Sequence, residues 1–307
     1  MTRRHGGLRA LAVATAFAAT LGLAGCTAAD PLGGQEGAAE AIVIGSQDYY
    51  SNEIVAEIYA QALESSGRQV QRDFRIGQRE VYLPEIEAGR IDLFPEYSGP
   101  LLQYWQPETS ARLSEEVYEE LSGATPEGLR ILAQAPATDQ DSYAVTREFA
   151  ERWGLRTIED LARVEEPLVL GANSEAESRP NGPDGLREAY GVEVGFSPIE
   201  DGGGPLTVKA LQDGQVQLAI LYTADPAIAA NGLVVLEDPK GLFLASHLVP
   251  LASERLDAEA AAVVDRVSAA LTGQELLALN ARSVDEQLSA SAIAADWLAE
   301  QGLAGSA

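Results

Sequence analysis

The stretch Gly89-Arg-Ile-Asp-Leu-Phe-Pro-Glu-Tyr-Ser-Gly-Pro100 decides how the chain is read. An apolar run after a glycine is the pattern of a buried strand, here Ile91 to Phe94, and Pro95 with the Ser98-Gly99-Pro100 cluster is expected to stop it. Tyr97 then lies where a strand leaves its sheet. In open α/β sheets that edge is where ligands bind, because loops there converge on a crevice without unpairing the ladder.

Upstream, Ala41-Ile-Val-Ile-Gly45 is a β-branched run ending in glycine and reads as another buried strand. From Asn52, the residues Val55, Ile58, Tyr59, Ala62 and Leu63 recur at helical spacing, and Gly67 closes that helix. Val70 to Ile76 gives a strand and Arg79 to Ala88 a helix. The alternation of strand and helix implies a largely parallel sheet covered on both faces.

Downstream, Ser110 to Leu121 reads as a helix and Leu129 to Ala133 as a strand. The extended segment Asp141-Ser-Tyr-Ala-Val-Thr146 begins a second series. It continues through a helix from Thr157, strands at Leu168 to Gly171 and Val194 to Ser197, helices at Pro183 to Tyr190 and Leu206 to Asp213, and a strand at Gln217 to Tyr222. An apolar run, Leu242 to Leu251, leads out of that unit, and from Asp257 onward the pattern is helical, with apolar positions suited to packing on the first unit. The expectation is an α/β clamshell: lobe 1 from 41–141 plus 247–307, lobe 2 from 142–246, with two interlobe crossovers.

The N-terminus differs in kind. Arg3, Arg4 and Arg9 precede an apolar segment, Leu11 to Leu21, and Leu23-Ala-Gly-Cys26 supplies a small-residue cleavage site. Residues 1–25 therefore read as a secretory signal, too short for a lasting membrane span. Leu-Ala-Gly-Cys is similar to a bacterial lipobox, so Cys26 is expected to carry a lipid anchor, with residues 26–40 as a flexible tether. With a single cysteine the chain has no internal disulfide. Losing three arginines from 21 basic residues leaves 18 against 47 acidic ones, a net charge of −29. Such a surface repels nucleic acid and anionic headgroups.

Catalytic chemistry is thinly supplied. After His5, His247 is the only histidine, so neither a Cys/His zinc site nor a Ser-His-Asp triad has its parts, and no metal or cofactor is expected. Gly202-Gly-Gly204 before a helix suits an anion cradle, but it lacks the Walker lysine and reads as a loop. What remains is aromatic: Tyr97, Tyr143 and Tyr222 each fall near a strand end, on both lobes. Three rings converging on one cleft form a site for a quaternary ammonium, which has no hydrogens to donate and is held by ring faces.

Taken together, these segments resemble the glycine betaine/choline (osmoprotectant) substrate-binding proteins of ABC transporters. Ile44-Gly-Ser-Gln-Asp-Tyr49 is similar to that family's Ile-Gly-Ser-Lys-Asn-Phe, and Gly89 to Gly99 to its Gly-x-Ile-Asp-x-Tyr-Pro-Glu-Tyr-Thr-Gly. Asp141-Ser-Tyr-Ala144 is similar to Asn-Asn-Thr-Tyr-Ala, Ser178 to Gly182 to the segment carrying a ligand-reaching arginine, and Tyr222-Thr-Ala-Asp225 to Tyr-Ser-Thr-Asp. The resemblance runs from residue 41 to about 303. It implies a type II periplasmic-binding-protein-like clamshell, not an enzyme, that works as a lipid-anchored monomer and presents a small quaternary-ammonium or zwitterionic ligand to an ABC permease.

Carried over by position, the resemblance makes Tyr97, Tyr143 and Tyr222 walls of an aromatic box, Arg179 the partner of a ligand carboxylate, and Gln47 and Asp141 further contacts. It also exposes departures. Ser246, beside His247, stands where a fourth tyrosine is usual, Pro100 where a threonine donates to the carboxylate, and Phe94 where the strand has a tyrosine. A box with one wall missing is wider, which leaves room for another zwitterion such as an amino acid or an ergothioneine-like compound.

Overall fold

The computed structural model describes residues 41–304. The expected signal, Cys26 and the tether lie outside the described residues. Within them the chain forms two five-stranded sheets, each covered by helices on both faces.

The first sheet contains β1 (Ile42–Gly45), β2 (Val70–Asp73), β3 (Leu93–Tyr97), β4 (Leu129–Ile131) and β10 (Leu248–Ser253), in the order β2-β1-β3-β10-β4. The second contains β5 (Asp141–Thr146), β6 (Val169–Ala172), β7 (Gly195–Pro198), β8 (Leu218–Tyr222) and β9 (Leu233–Val235), in the order β7-β6-β8-β5-β9. In each sheet one strand runs antiparallel between two neighbours: β10 in the first and β5 in the second. Each of these is the first strand the chain builds after crossing from the other lobe. The two lobes therefore share one topology.

Pro95 does not end its strand, contrary to the reading from sequence. β3 runs on to Tyr97, and Pro95 faces Pro250 in register across the antiparallel ladder. Proline is excluded from a ladder only where its missing N–H is needed. Here the carbonyl of Pro95 turns away from β10 and accepts from the Asn52 amide at 2.8 Å, while that of Pro250 accepts from Leu132 N at 2.9 Å. The two prolines thus meet at a pair where neither nitrogen has to donate.

A second difference follows directly. Ser98-Gly99-Pro100 is not a loop but the first turn of α3 (Ser98–Trp105). Proline is tolerated in a first turn because its N–H has no intrahelical acceptor there anyway. Gly99 is required by contact rather than by turn geometry: a Cβ would stand 2.9 Å from the carbonyl oxygens of both Leu244 and Ala245.

One face of the first sheet is covered by α1 (Tyr50–Ser65) together with the C-terminal helices α9 (Ala258–Ala270), α10 (Gly273–Asp285) and α11 (Ala290–Glu300). Asp257, Thr272 and Ser289 cap the three C-terminal helices through their side chains, which fixes where each begins. The other face carries α2 (Arg79–Glu87), α3 and α4 (Ser114–Ala124). β10 is buried along its whole length and feeds both cores by alternation, Val249 and Leu251 to one and Leu248 and Ala252 to the other. The second sheet is sandwiched by α5 (Arg147–Trp153) and α6 (Pro183–Tyr190) on one side and α7 (Pro205–Gln212) with the short α8 (Pro226–Ala230) on the other.

The crossovers run side by side. Thr138 bridges His247 in antiparallel fashion, Asp139 N donates to Ser246 O at 3.2 Å, and the Ser246 hydroxyl donates to Asp139 O at 2.9 Å. His247 Nδ1 lies 2.9 Å from the carbonyl of Ala135, which makes that nitrogen the donor. Among the described residues no helix is long and apolar enough to cross a membrane.

Candidate functional site

β1, β3, β5 and β8 all direct an end to the gap between the lobes, and three adjoining cavities lie there. The innermost, about 20 Å³, is lined by Gln47, Tyr49, Arg79, Tyr97, Pro100, Asp139, Asp141, Arg179 and Tyr222. A larger one of about 180 Å³ opens beside it, bounded by Arg79, Pro100, Asp141 and Arg179 together with Gln103, Tyr104 and the Ser178–Asn181 segment. A third, about 20 Å³, runs from Asp141, Arg179 and Tyr222 to Gly202 and Gly203. Asp141 and Arg179 are common to all three.

Tyr97 is the last residue of β3 and the N-cap of α3, so its ring is held between a ladder and a helix start. Its hydroxyl is buried beside the hydroxyls of Tyr49 and Ser51 and completes no full hydrogen bond with either. Tyr222 ends β8 and stacks on Tyr49 from the other lobe, with centroids 4.9 Å apart and planes inclined by 21°. Tyr49 caps α1 and is 7% exposed. The rings that share the innermost cavity are therefore Tyr49, Tyr97 and Tyr222.

Tyr143, expected from sequence beside Tyr97 and Tyr222, does not line this cavity. It is fully buried in the second lobe, its ring edge-on to Phe243 at 4.9 Å and its hydroxyl donating to Asn181 O at 2.7 Å. The reason is register. Asp141 is the partner of Tyr222 across the β5/β8 ladder, and Tyr143 lies one pleat repeat further from the gap, on the same face. Asp141 occupies the position at the edge, and Tyr143 packs behind it.

Ser246 is likewise withdrawn from the cavity. It is 2% exposed, and its hydroxyl is spent on the crossover bond to Asp139. Phe94, the other departure, stacks on Tyr82 at 4.1 Å in the core behind β3. Gln47 and Pro100 do line the cavity, and Gln47 N is fixed by Asn52 Oδ1 at 2.9 Å.

Both cavity arginines already have carboxylate partners. Arg79 donates from Nε and Nη2 to Glu96 at 2.8 and 3.0 Å, a pair almost wholly buried. Glu96 also accepts from the Tyr82 hydroxyl and from Tyr97 N. The Pro-Glu-Tyr segment thus carries its own anchor for the wall arginine. Arg179 reaches from the second lobe to Glu80 and Gln78 of the first, donating to both Glu80 oxygens at 3.0 and 2.9 Å and to Gln78 Oε1 at 3.3 Å. It is an interlobe ion pair as well as a cavity wall.

The acids are less evenly provided for. Asp141 accepts from the Asn181 amide at 3.0 Å; burial raises its carboxyl above the ordinary carboxylate range, and Arg179 and Arg79 oppose that rise. The Asp139 carboxylate accepts one hydrogen bond, from Ala224 N at 2.8 Å. Burial pushes its carboxyl up to about 8, the Ala224 amide working against the rise and Asp141 and Asp225 adding to it. Tyr49, Arg79 and Asp139 were missed as site residues from sequence alone. Tyr49 had a signal, since it follows the β1 exit as Tyr97 ends β3; Asp139 had none, because only the pairing of the crossovers turns it inward.

The Gly202-Gly-Gly204 turn is no empty anion cradle. The Asp201 carboxylate caps α7 from within, accepting from Leu206 N at 2.6 Å, Thr207 N at 3.2 Å and the Thr207 hydroxyl at 2.5 Å.

Residues 40–300 match the family described as the substrate binding domain of ABC-type glycine betaine transport systems. The glycine betaine-binding protein YehZ of Escherichia coli strain K12 is 29% identical over 280 residues, 86% of this chain and 92% of that protein. The ergothioneine transport permease/ergothioneine binding protein EgtU of Helicobacter pylori strain G27 is 23% identical over 85% of this chain, which spans 48% of that longer protein. A solved structure of a glycine betaine/carnitine/choline ABC transporter superposes with a TM-score of 0.66, covering 85% of this chain and 99% of the other, at 18% identity. That likeness bears on the fold.

Proposed function

The chain belongs to the family of substrate binding domains of ABC-type glycine betaine transport systems, and from that premise we propose that it captures a small quaternary-ammonium solute between its lobes and presents it to an ABC permease outside the cytoplasm. The observation that carries this reading is the meeting of Tyr49, Tyr97 and Tyr222, from both lobes, on one interlobe cavity. Ring faces attract an ammonium that cannot hydrogen-bond, each desolvated contact contributing roughly 0.5–2 kcal/mol. Tyr49 takes the place that the sequence reading gave to Tyr143. Attachment to the membrane through a lipid on Cys26, a monomeric state, and lobes bounded near residues 141 and 247 belong to the same proposal.

A second reading keeps the fold and changes the ligand to a bulkier zwitterion. The cavity of about 180 Å³ beside Arg179 supports it, as it gives room that a trimethylated head alone does not fill.

Calorimetric titration of the protein with glycine betaine, choline, carnitine and proline betaine, and with ergothioneine as contrast, tests both. Saturable binding to one of the first four is the expected result. Binding of ergothioneine alone moves the assignment to the second reading, and binding of none by folded protein overturns both.

A further inference from the structure

We infer that Asp139 is a specificity-determining residue that makes this site prefer a net-cationic quaternary ammonium alcohol, of the choline class, over a zwitterion such as glycine betaine. The inference rests on the proposed aromatic site and names its substrate class. Its ground is the charge inventory of the cavity wall. Arg79 is committed to Glu96 and Arg179 to Glu80, so each guanidinium brings its own neutralising carboxylate. Asp141 has the Asn181 amide. Asp139 is 3% exposed, lines the cavity with the three rings, and enters no ion pair among the described residues; the one bond to its carboxylate is from Ala224 N. A buried carboxylate without a cation costs several kcal/mol, and a protein that keeps one holds it neutral or supplies a positive partner.

An independent observation points to the same ligand. Tyr97, 4% exposed, lines the same cavity, and its hydroxyl makes no full hydrogen bond, with only the Tyr49 and Ser51 hydroxyls beside it. A quaternary ammonium alcohol answers both groups: its charge sits against the ring faces and the Asp139 carboxylate, and its hydroxyl bonds with the Tyr97 oxygen. A zwitterion brings a carboxylate into a wall that already holds Asp139 and Asp141, and must draw Arg179 from Glu80 to pair it.

A proton competes with the cation. The groups facing Asp139 are Asp141 from β5, Tyr222 at the end of β8, Asp225 beyond it with Tyr50 hydrogen-bonded to it, Tyr49 at the start of α1 and Tyr97 at the end of β3. The carboxylates hold its proton on and no cationic group offsets them at contact. Binding of a cation then strengthens as pH rises through the range where Asp139 ionises.

The experiment is calorimetry of choline and glycine betaine against the parent protein and Asp139→Asn, from pH 6 to pH 9. The expected result is choline at least ten-fold tighter than glycine betaine at pH 9, choline affinity rising with pH in the parent and flat in Asp139→Asn, and a choline loss in the variant at least ten-fold larger than the glycine betaine loss. Equal losses for both ligands, or tighter binding of glycine betaine by the parent, overturn the inference while leaving the aromatic site in place. Binding of neither ligand by folded protein overturns the site with it. Should Asp139→Asn fail to fold, a choline affinity in the parent that does not change from pH 6 to pH 9 is itself sufficient to overturn the inference.

Discussion

Tyr97, Tyr143 and Tyr222 look equivalent in sequence, each near a strand end, yet they perform different physical tasks. Tyr97 and Tyr222 present rings to the interlobe cavity, whereas Tyr143 spends its ring on Phe243 and its hydroxyl on Asn181 O. Tyr97→Ala and Tyr222→Ala are therefore expected to raise Kd for the true ligand ten-fold or more, about 1.4 kcal/mol. Tyr143→Phe should cost about 1 kcal/mol of stability through the lost bond and leave Kd within about three-fold; a ten-fold change in Kd for this variant would return Tyr143 to the site. Asp139 makes a separate prediction for the ligand-free protein. Between the ordinary 3.8 and about 8, the folded chain keeps a proton that the unfolded chain has released, so this group's contribution to stability is lost as pH rises through that window. Thermal melts of the parent should fall relative to Asp139→Asn over that window, and parallel melting curves would show that Asp139 ionises normally when folded.

At the scale of elements, β3 and α2 act as one piece. Glu96 on β3 accepts from Arg79 and Tyr82 of α2 and from Tyr97 N, and none of its bonds is open to water. Glu96→Gln leaves the Arg79 guanidinium buried without a counter-charge, expected to destabilise by about 3–5 kcal/mol and to unseat Tyr97 in the process. Denaturant titration checks the first effect; a loss under 1 kcal/mol would mean that water or Asp141 takes over. The elements themselves were largely legible, because strand, helix and glycine punctuation alternate with the right periods. What misled was proline. Pro95 reads as a stop, yet it faces Pro250, a partner 155 positions away, and only that pairing removes the need for its N–H. For the same reason α3 was invisible behind Ser98-Gly99-Pro100. The cavity lining was half legible: Tyr97, Tyr222, Arg179, Gln47, Asp141 and Pro100 lie on the cavities, while register and the pairing of the crossovers put Asp139 and Tyr49 on the innermost one and leave Tyr143 and Ser246 off it.

For the whole molecule, the lobes meet through contacts that need no ligand: the Arg179 to Glu80 pair, the stack of Tyr222 on Tyr49, and the Asn280 amide of α10 donating to Ala224 O at 2.9 Å. The innermost cavity that remains, about 20 Å³, has room for roughly one water. A solute of several heavy atoms enters only when the lobes or the rings part, so the contacts that hold the lobes together also tax the entry of ligand. The Arg179 to Glu80 pair is partly exposed, and such pairs contribute about 1 kcal/mol or less, equivalent to about a five-fold change in the open population. Glu80→Ala should therefore expand the ligand-free protein slightly in X-ray scattering and speed ligand association in stopped-flow fluorescence by up to about five-fold. The variant also frees Arg179, so glycine betaine should gain affinity relative to choline. Scattering and association rates identical to the parent would show that the pair does not hold the lobes, and that parting of the Tyr49 and Tyr222 rings is what limits entry.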